Sequence, residues 1–207
     1  MSTWRLFRRA VRPDRKHLEA LAEAQYRAKL AGADEAVAPM SVGRPWLWGV
    51  SQLDRRFQEG DMVATEFTPT LRDYYGQVCR SWVIGKASVE QRGIYDTVLE
   101  ASERMAWLVK PGVSGEELWQ AGMKVIGRAG YEFGGIRFGH GMGLAMAEGL
   151  DLMPNERSVL QAGYYVMVHP HVFQPKTGNA AIIGDAFLVT ETGCQKLTKA
   201  KKRLKSQ

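Results

Sequence analysis

The chain has 207 residues, 45% hydrophobic and 24% charged, with a formal net charge of +6. This composition suits one sizeable core and excludes collagen-like, low-complexity and disulfide-stapled chains. No window approaches the roughly eighteen apolar residues of a membrane span, and "MSTWRLFRRAVRPDRK" lacks the apolar run of a signal peptide, so a cytoplasmic protein is expected. The two cysteines, Cys79 and Cys194, lie far apart with no second cysteine at metal-ligand spacing, and read as free thiols. The positive charge gathers in a basic lead, 1–9, and a basic tail, 199–207, which read as solvated ends; no nucleic-acid or membrane partner is expected.

In chain order, a helix opens after Pro13 and closes near Gly32, and a strand, "QEGDMVATEFTP", follows a glycine turn and carries Glu66 near its end. A second strand, "YGQVCRSWVIG", comes next. An amphipathic helix over 88–108 then aligns Ile94, Val98, Ala101, Met105 and Leu108 on one stripe. A further helix opens on Ser114 and Glu117, an S-x-x-E capping box, and stops near Gly130. Beyond it lie "FGHGMGL", the strand "QAGYYVMVHPHV" and a last strand in "AIIGDAFLVTETG".

These elements repeat. "AVRPDRKHLEALAEAQYRAKLAGAD" from Ala10 overlays "LVKPGVSGEELWQAGMKVIGRAGYE" from Leu108 without a gap, matching Pro13 to Pro111, Glu19 to Glu117 and Gly32 to Gly130. "QEGDMVATEFTP" likewise overlays "QAGYYVMVHPHV", which sets Glu66 against His169. The expectation is one α+β domain over 10–198, with halves at 10–87 and 109–198 joined by the helix, a curved antiparallel sheet, helices on its outer face and a cleft inside.

Taken together and in order, "VKPGVSGEELW", "FGHGMGL", "LQAGYYVMVHPHVF" and "IIGDAFLVTETGCQKLT", with "FQEGDMVATEFTPTLRDYYGQVCRSWVIG" upstream, resemble the catalytic domain of the pita-bread fold family, which includes creatinase, prolidase, aminopeptidase P and methionine aminopeptidase. The resemblance runs from about residue 10 to about residue 198 and implies a pseudo-symmetric pair of α+β halves around a cleft. Larger relatives carry a further N-terminal domain, so a homodimer or a partner subunit completing the cleft is expected.

The family's metallopeptidases hold two divalent ions on Asp, Asp, His, Glu and Glu. Carried over, these positions fall on Glu66, Gln77, His140, His169 and Gly184, of which only the histidine is unchanged. Two adjacent cations need several carboxylates to neutralise and bridge them, so the resemblance implies that the dinuclear centre is lost. Creatinase, a metal-free member, suggests the alternative: His140 or His169 as general base, Glu66 to orient or stabilise it, and Tyr75, Gln77, His171 and Glu148 near the substrate. The leading expectation is a metal-independent hydrolase acting on a C–N (amide) bond of a small-molecule or short-peptide, amino-acid-like substrate, with no cofactor. Its rivals are an inactive module binding peptide or nucleic acid, and a metal-dependent Xaa-Pro peptidase. A single Zn, Fe or Mn on His140, His169 and Glu66 is the metal set that would remain. On residue type alone His171 reads as a surface hydrogen-bonding group, Arg80 as a structural ion-pair partner, and the tryptophans of "RPWLW" and "SWV" as core and cleft wall.

Overall fold

The computed structural model describes residues 8–42 and 54–204. Each half opens on a proline turn followed by a left-handed residue, Asp14 at φ 66° and Gly112 at φ 86°. These turns feed helices α1 (His17–Leu30) and, after the linking helix α2 (Val89–Leu108), α3 (Gly115–Arg128). Helices α1 and α3 are both 14 residues long, and both stop on a left-handed glycine, Gly32 or Gly130. The expected capping box holds at α3, where the Ser114 N–H donates to Glu117 Oε2 at 2.8 Å. Its counterpart in α1, Lys16 N–H to Glu19 Oε2 at 2.9 Å, was hidden in the sequence because lysine stands where the motif has serine or threonine.

Helix α2 starts one residue later than its sequence pattern suggests, because Ser88 is its cap and accepts the Gln91 N–H at 3.1 Å. Its stripe is buried: Ile94, Val98, Ala101 and Met105 are each 0% exposed, in one core with Leu118 and Ile126 of α3. Among the described residues no helix is long and apolar enough to cross a membrane.

The strands are β1 (Glu35–Val37), β2 (Met40–Val42), β3 (Met62–Leu71), β4 (Tyr74–Tyr75), β5 (Val78–Val83), β6 (Gly139–Gly141), β7 (Tyr165–Val168), β8 (His171–Phe173), β9 (Ala180–Ile182), β10 (Asp185–Val189) and β11 (Cys194–Lys196). All pairings among them are antiparallel. The expected curved sheet is built as three ladders: β3 with β1, β2, β4 and β5; β11-β10-β7-β6; and β8-β9. Among the described residues the two larger ladders meet at one bridge, where the Cys79 N–H donates to Gly184 O at 3.2 Å and the Gly184 N–H to Cys79 O at 2.9 Å. Cys79 and Gly184 hold matched places in the two halves, so this bridge marks the internal symmetry.

Behind the bridge lies a buried charge cluster. Arg80 and Asp185, 3% and 0% exposed at the side chain, pair at 2.6 Å, and Lys196 and Lys202 reach the other Asp185 oxygen at 2.8 and 3.1 Å. Burial pushes the Asp185 carboxyl up, but Arg80 and Lys202 outweigh it and hold it below its ordinary value. Arg80 also donates to the carbonyls of Cys79 at 2.7 Å, Gly184 at 2.5 Å and Ala200 at 2.5 Å. The tail is therefore fastened through residue 204 rather than solvated, with Lys202 bonded to Ser102 and Leu204 packed on the core. Trp82 is buried as expected, whereas lead residues 1–7, "RPWLW" and tail residues 205–207 lie outside the described residues.

Candidate active site

The inner face of the sheet follows from strand alternation, which sends every second side chain to one side. Glu66 pairs with Cys79 across β3 and β5, and Cys79 pairs with Gly184. His169 and Gly184 lie one step beyond Val168↔Asp185, the last pair of β7 and β10. His140 on β6 sits opposite Met167. Its two glycines are needed for packing, since a Cβ on Gly139 would lie 2.1 Å from Met167 O and one on Gly141 2.2 Å from Glu148 O.

The residues two places from these site positions form the cleft floor. Ala64, Met142, Met167, Ile182 and Ala186, with Cys79, make one apolar cluster, flanked by Tyr75 and Tyr165. Their period-two spacing from Glu66, His140, His169 and Gly184 was present in the sequence as a signal for the floor.

His140 is buried, with Nδ1 3.0 Å from Gly141 O. In the neutral ring that bond puts the proton on Nδ1 and leaves the lone pair on Nε2. The His169 ring centroid is 5.1 Å away. His169 is 3% exposed, and neither ring nitrogen has a hydrogen-bond partner among the described residues. Burial, then the neighbouring His140 and His171 rings, hold it well below the ordinary histidine value, and burial lowers His140 too. Both imidazoles are neutral at pH 7.

His171 departs from expectation. Pro170 ends the β7 ladder and the chain joins β9 instead, which carries the His171 ring into the core, stacked on Phe133 at 5.0 Å and edge-on to Phe138 at 5.6 Å. It is 1% exposed rather than a surface group, and burial lowers it to about 4.

Glu66 belongs to a second cluster. Gln77 Nε2 donates to Glu66 Oε2 and to Thr68 Oγ1, both at 3.2 Å. Burial raises Glu66 to about 7, against the pull of Arg137 and a hydrogen bond with the Cys79 side chain. The Gly184 position brings the two halves together: a Cβ there would lie 2.6 Å from His169 Cβ and 2.9 Å from Cys79 Cβ, so His169 stands beside Cys79, the cross-strand partner of Glu66. The carboxylate cluster and the imidazole pair thus come from the two halves and approach one another at the Cys79–Gly184 bridge, with the Gln77 amide, rather than an imidazole, donating to Glu66 Oε2. Tyr75 ties the halves together through its N–H to Gly143 O at 2.9 Å, and Glu148 accepts the Ala145 N–H at 2.9 Å.

The described residues do not fit a dinuclear metal centre. Gly184 has no side chain and no room for one: a Cβ there would lie 2.5 Å from Met167 Cε, 2.6 Å from His169 Cβ and 2.9 Å from Cys79 Cβ. The Gln77 amide is turned to Glu66, and among the described residues no group of three or more His, Cys, Asp or Glu is placed to hold a metal.

The sequence model described as metallopeptidase family M24 matches residues 3–191. The chain belongs to that family. The M24 assignment agrees with the Xaa-Pro dipeptidase of Pyrococcus horikoshii, 29% identical over 195 residues, covering 92% of this chain and 55% of the relative. Among solved structures, prolidase from Pyrococcus furiosus is 28% identical with a TM-score of 0.89, over 96% of this chain and 60% of that one. The Xaa-Pro dipeptidase from Bacillus anthracis is 28% identical with a TM-score of 0.90, over 98% and 58%. The M24 fold is thus the pita-bread fold the motifs implied, and the chain spans little more than half the length of these relatives.

The buried neutral histidines make M24 folding here sensitive to acid. His17, stacked on Phe57 at 4.2 Å, is lowered to about 4 by burial and then by Arg55, joining His171 and His169. Their folded values lie below the unfolded value of about 6.5, so their stabilisation is complete above that pH and is lost as pH falls toward 4, on the order of 3 kcal/mol each for His17 and His171. Glu66 runs the opposite way, since its raised value favours the folded state below about 4.5 and loses that as pH rises through 7, but it is one group against three. Urea midpoints are expected to be clearly lower at pH 4.5 than at pH 7; equal midpoints would mean that the imidazoles do not stay neutral when buried.

Proposed function

We propose that this chain is a hydrolase of a C–N (amide) bond in a dipeptide-sized, amino-acid-like substrate. The observation that carries it is the neutral pair His140 and His169 on the cleft floor, with the His140 lone pair assigned to Nε2 by its bond to Gly141. His140 Nε2 accepts a proton from water as its oxygen forms the C–O bond. The C–N bond then breaks and the leaving nitrogen takes a proton from Glu66, which burial raises to about 7. The apolar floor keeps bulk water from these groups.

A metal-dependent Xaa-Pro dipeptidase is the second reading. The printed names of the relatives support it better than they support metal-free, creatinase-like chemistry. The donor set supports it less, because Gln77 and Gly184 replace two carboxylates.

Metal content of protein purified without chelator or nickel column, with Xaa-Pro dipeptides and small zwitterionic amides assayed before and after chelation, separates the two. Hydrolysis that survives chelation is expected. Stoichiometric metal lost together with activity would establish the metallopeptidase reading, and no hydrolysis of any amide would leave a binding module.

A further inference from the structure

The segment beyond β11, residues 197–204, crosses the back of the Cys79–Gly184 bridge. Strand alternation sends Cys79 and Gly184 toward the cleft and the residues after them, Arg80 and Asp185, away from it. The segment closes on both of these. The Leu197 N–H donates to Ala186 O at 2.9 Å and the Ala186 N–H to Thr198 Oγ1 at 2.8 Å, which lays the chain along β10. Ala200 O and Lys201 O then accept from the Arg80 guanidinium at 2.5 and 3.3 Å. Lys202 Nζ reaches Asp185 Oδ2 at 3.1 Å and Ser102 Oγ of α2 at 3.0 Å, and Leu204 packs on the core. One short strap thus touches the first half, the second half and the helix that links them.

Lys202 is the part of the strap that charge balance does not demand. Asp185 already has Arg80 at 2.6 Å and Lys196 at 2.8 Å, so its carboxylate stays paired without a third cation. Yet the Lys202 side chain is 14% exposed, against 42% for Lys196, so its ammonium has given up most of its water to stand between Asp185 and Ser102. Desolvating a cation beside an anion that is already paired gains little stability. What it does gain is a tie from α2 to the residue behind Gly184. We propose that Lys202 is a positioning residue that locks the strap across the two halves and so fixes the bridge on which the reacting groups stand. The link to chemistry rests on the hydrolase reading. Cys79 is the cross-strand partner of Glu66, and a Cβ on Gly184 would lie 2.6 Å from His169 Cβ, so slack in the bridge changes the approach of carboxylate and imidazole.

The test compares Lys202→Met, of similar length without the charge, with Lys202→Arg, and reads amide hydrogen exchange of the full chain first. The Cys79 and Gly184 amides, whose N–H groups make the bridge, are expected to exchange about tenfold faster in Lys202→Met, with the Val98 amide of α2 unchanged. Lys202→Arg is expected to restore most of that protection. On a dipeptide-sized amide that the parent hydrolyses, kcat of Lys202→Met is expected to fall about tenfold with KM within about twofold, well below the thermal midpoint, because misplaced groups slow the chemical step. Equal acceleration at every amide would make Lys202 an ordinary stabilising contact and overturn the proposal. Full protection of the bridge amides would overturn it too, as would a loosened bridge with unchanged kcat. The two readings fail separately. Faster bridge exchange in a chain whose parent hydrolyses no amide would sink the hydrolase and keep the strap, while intact protection in a chain that does hydrolyse amides would sink the strap alone.

Discussion

Replacing His169 by leucine is expected to lower turnover, because it removes the imidazole that faces the base His140 at 5.1 Å, while raising the thermal midpoint. The two effects have one cause. His169 is 3% exposed with both ring nitrogens unpartnered among the described residues, beside Met167 on an apolar floor. A buried polar group without a partner costs about 1–3 kcal/mol, and leucine, of similar volume, removes that penalty without opening a cavity. A residue kept only for packing would not show gain of stability together with loss of turnover. His140→Ala is expected to lower turnover by about 10²–10⁴, the range for loss of a general acid–base group, but to gain no stability, because its Nδ1 is already bonded to Gly141 O. If either variant, assayed on a substrate the parent hydrolyses, keeps full turnover, the histidine pair is not the reacting centre.

Arg80→Ala is expected to destabilise the fold by about 3–5 kcal/mol, the usual result of removing one partner from a buried ion pair. The reason lies in what the guanidinium holds besides Asp185. It donates to the carbonyls of Cys79 and Gly184, the residues whose backbone bridge joins the two halves, and to Ala200 of the tail. Arg80→Lys keeps the charge but not the fork that serves several acceptors at once, and should recover only part of the loss. Equilibrium urea unfolding of both variants is the measurement. A loss under about 1 kcal/mol would mean that Lys196 and Lys202 alone neutralise Asp185 and that the bridge needs no clamp.

The local chemistry of the chain was legible because it is written in short-range terms. The α3 capping box at Ser114 and Glu117, the stripe on α2 and the glycine stops at Gly32 and Gly130 all depend on residues within a turn or two of one another. The repeat was legible for the same reason, as was the role of Arg80, since a charged residue within an apolar strand needs a partner. Family M24 followed from the order of motifs rather than from any one of them.

Where side chains go across strands could not be read so. The sequence overlay paired Glu66 with His169 as symmetry mates, and that is how the structure has them, each opposite one residue of the Cys79–Gly184 bridge. Cross-strand pairing, not sequence spacing, sets what each one touches, and it gives Glu66 the Gln77 amide and Cys79 as neighbours. His171 turned inward because Pro170 moved the chain from one ladder to another, a choice made by the distant strand β9. The basic tail, read as solvated from its charge, is fastened because Asp185 is buried where Lys196 and Lys202 can reach it. The sequence by itself determined the elements and the fold family. Only the tertiary structure decided which of the remaining groups meet, because a neighbour across a sheet is chosen by hydrogen-bond register and not by distance along the chain.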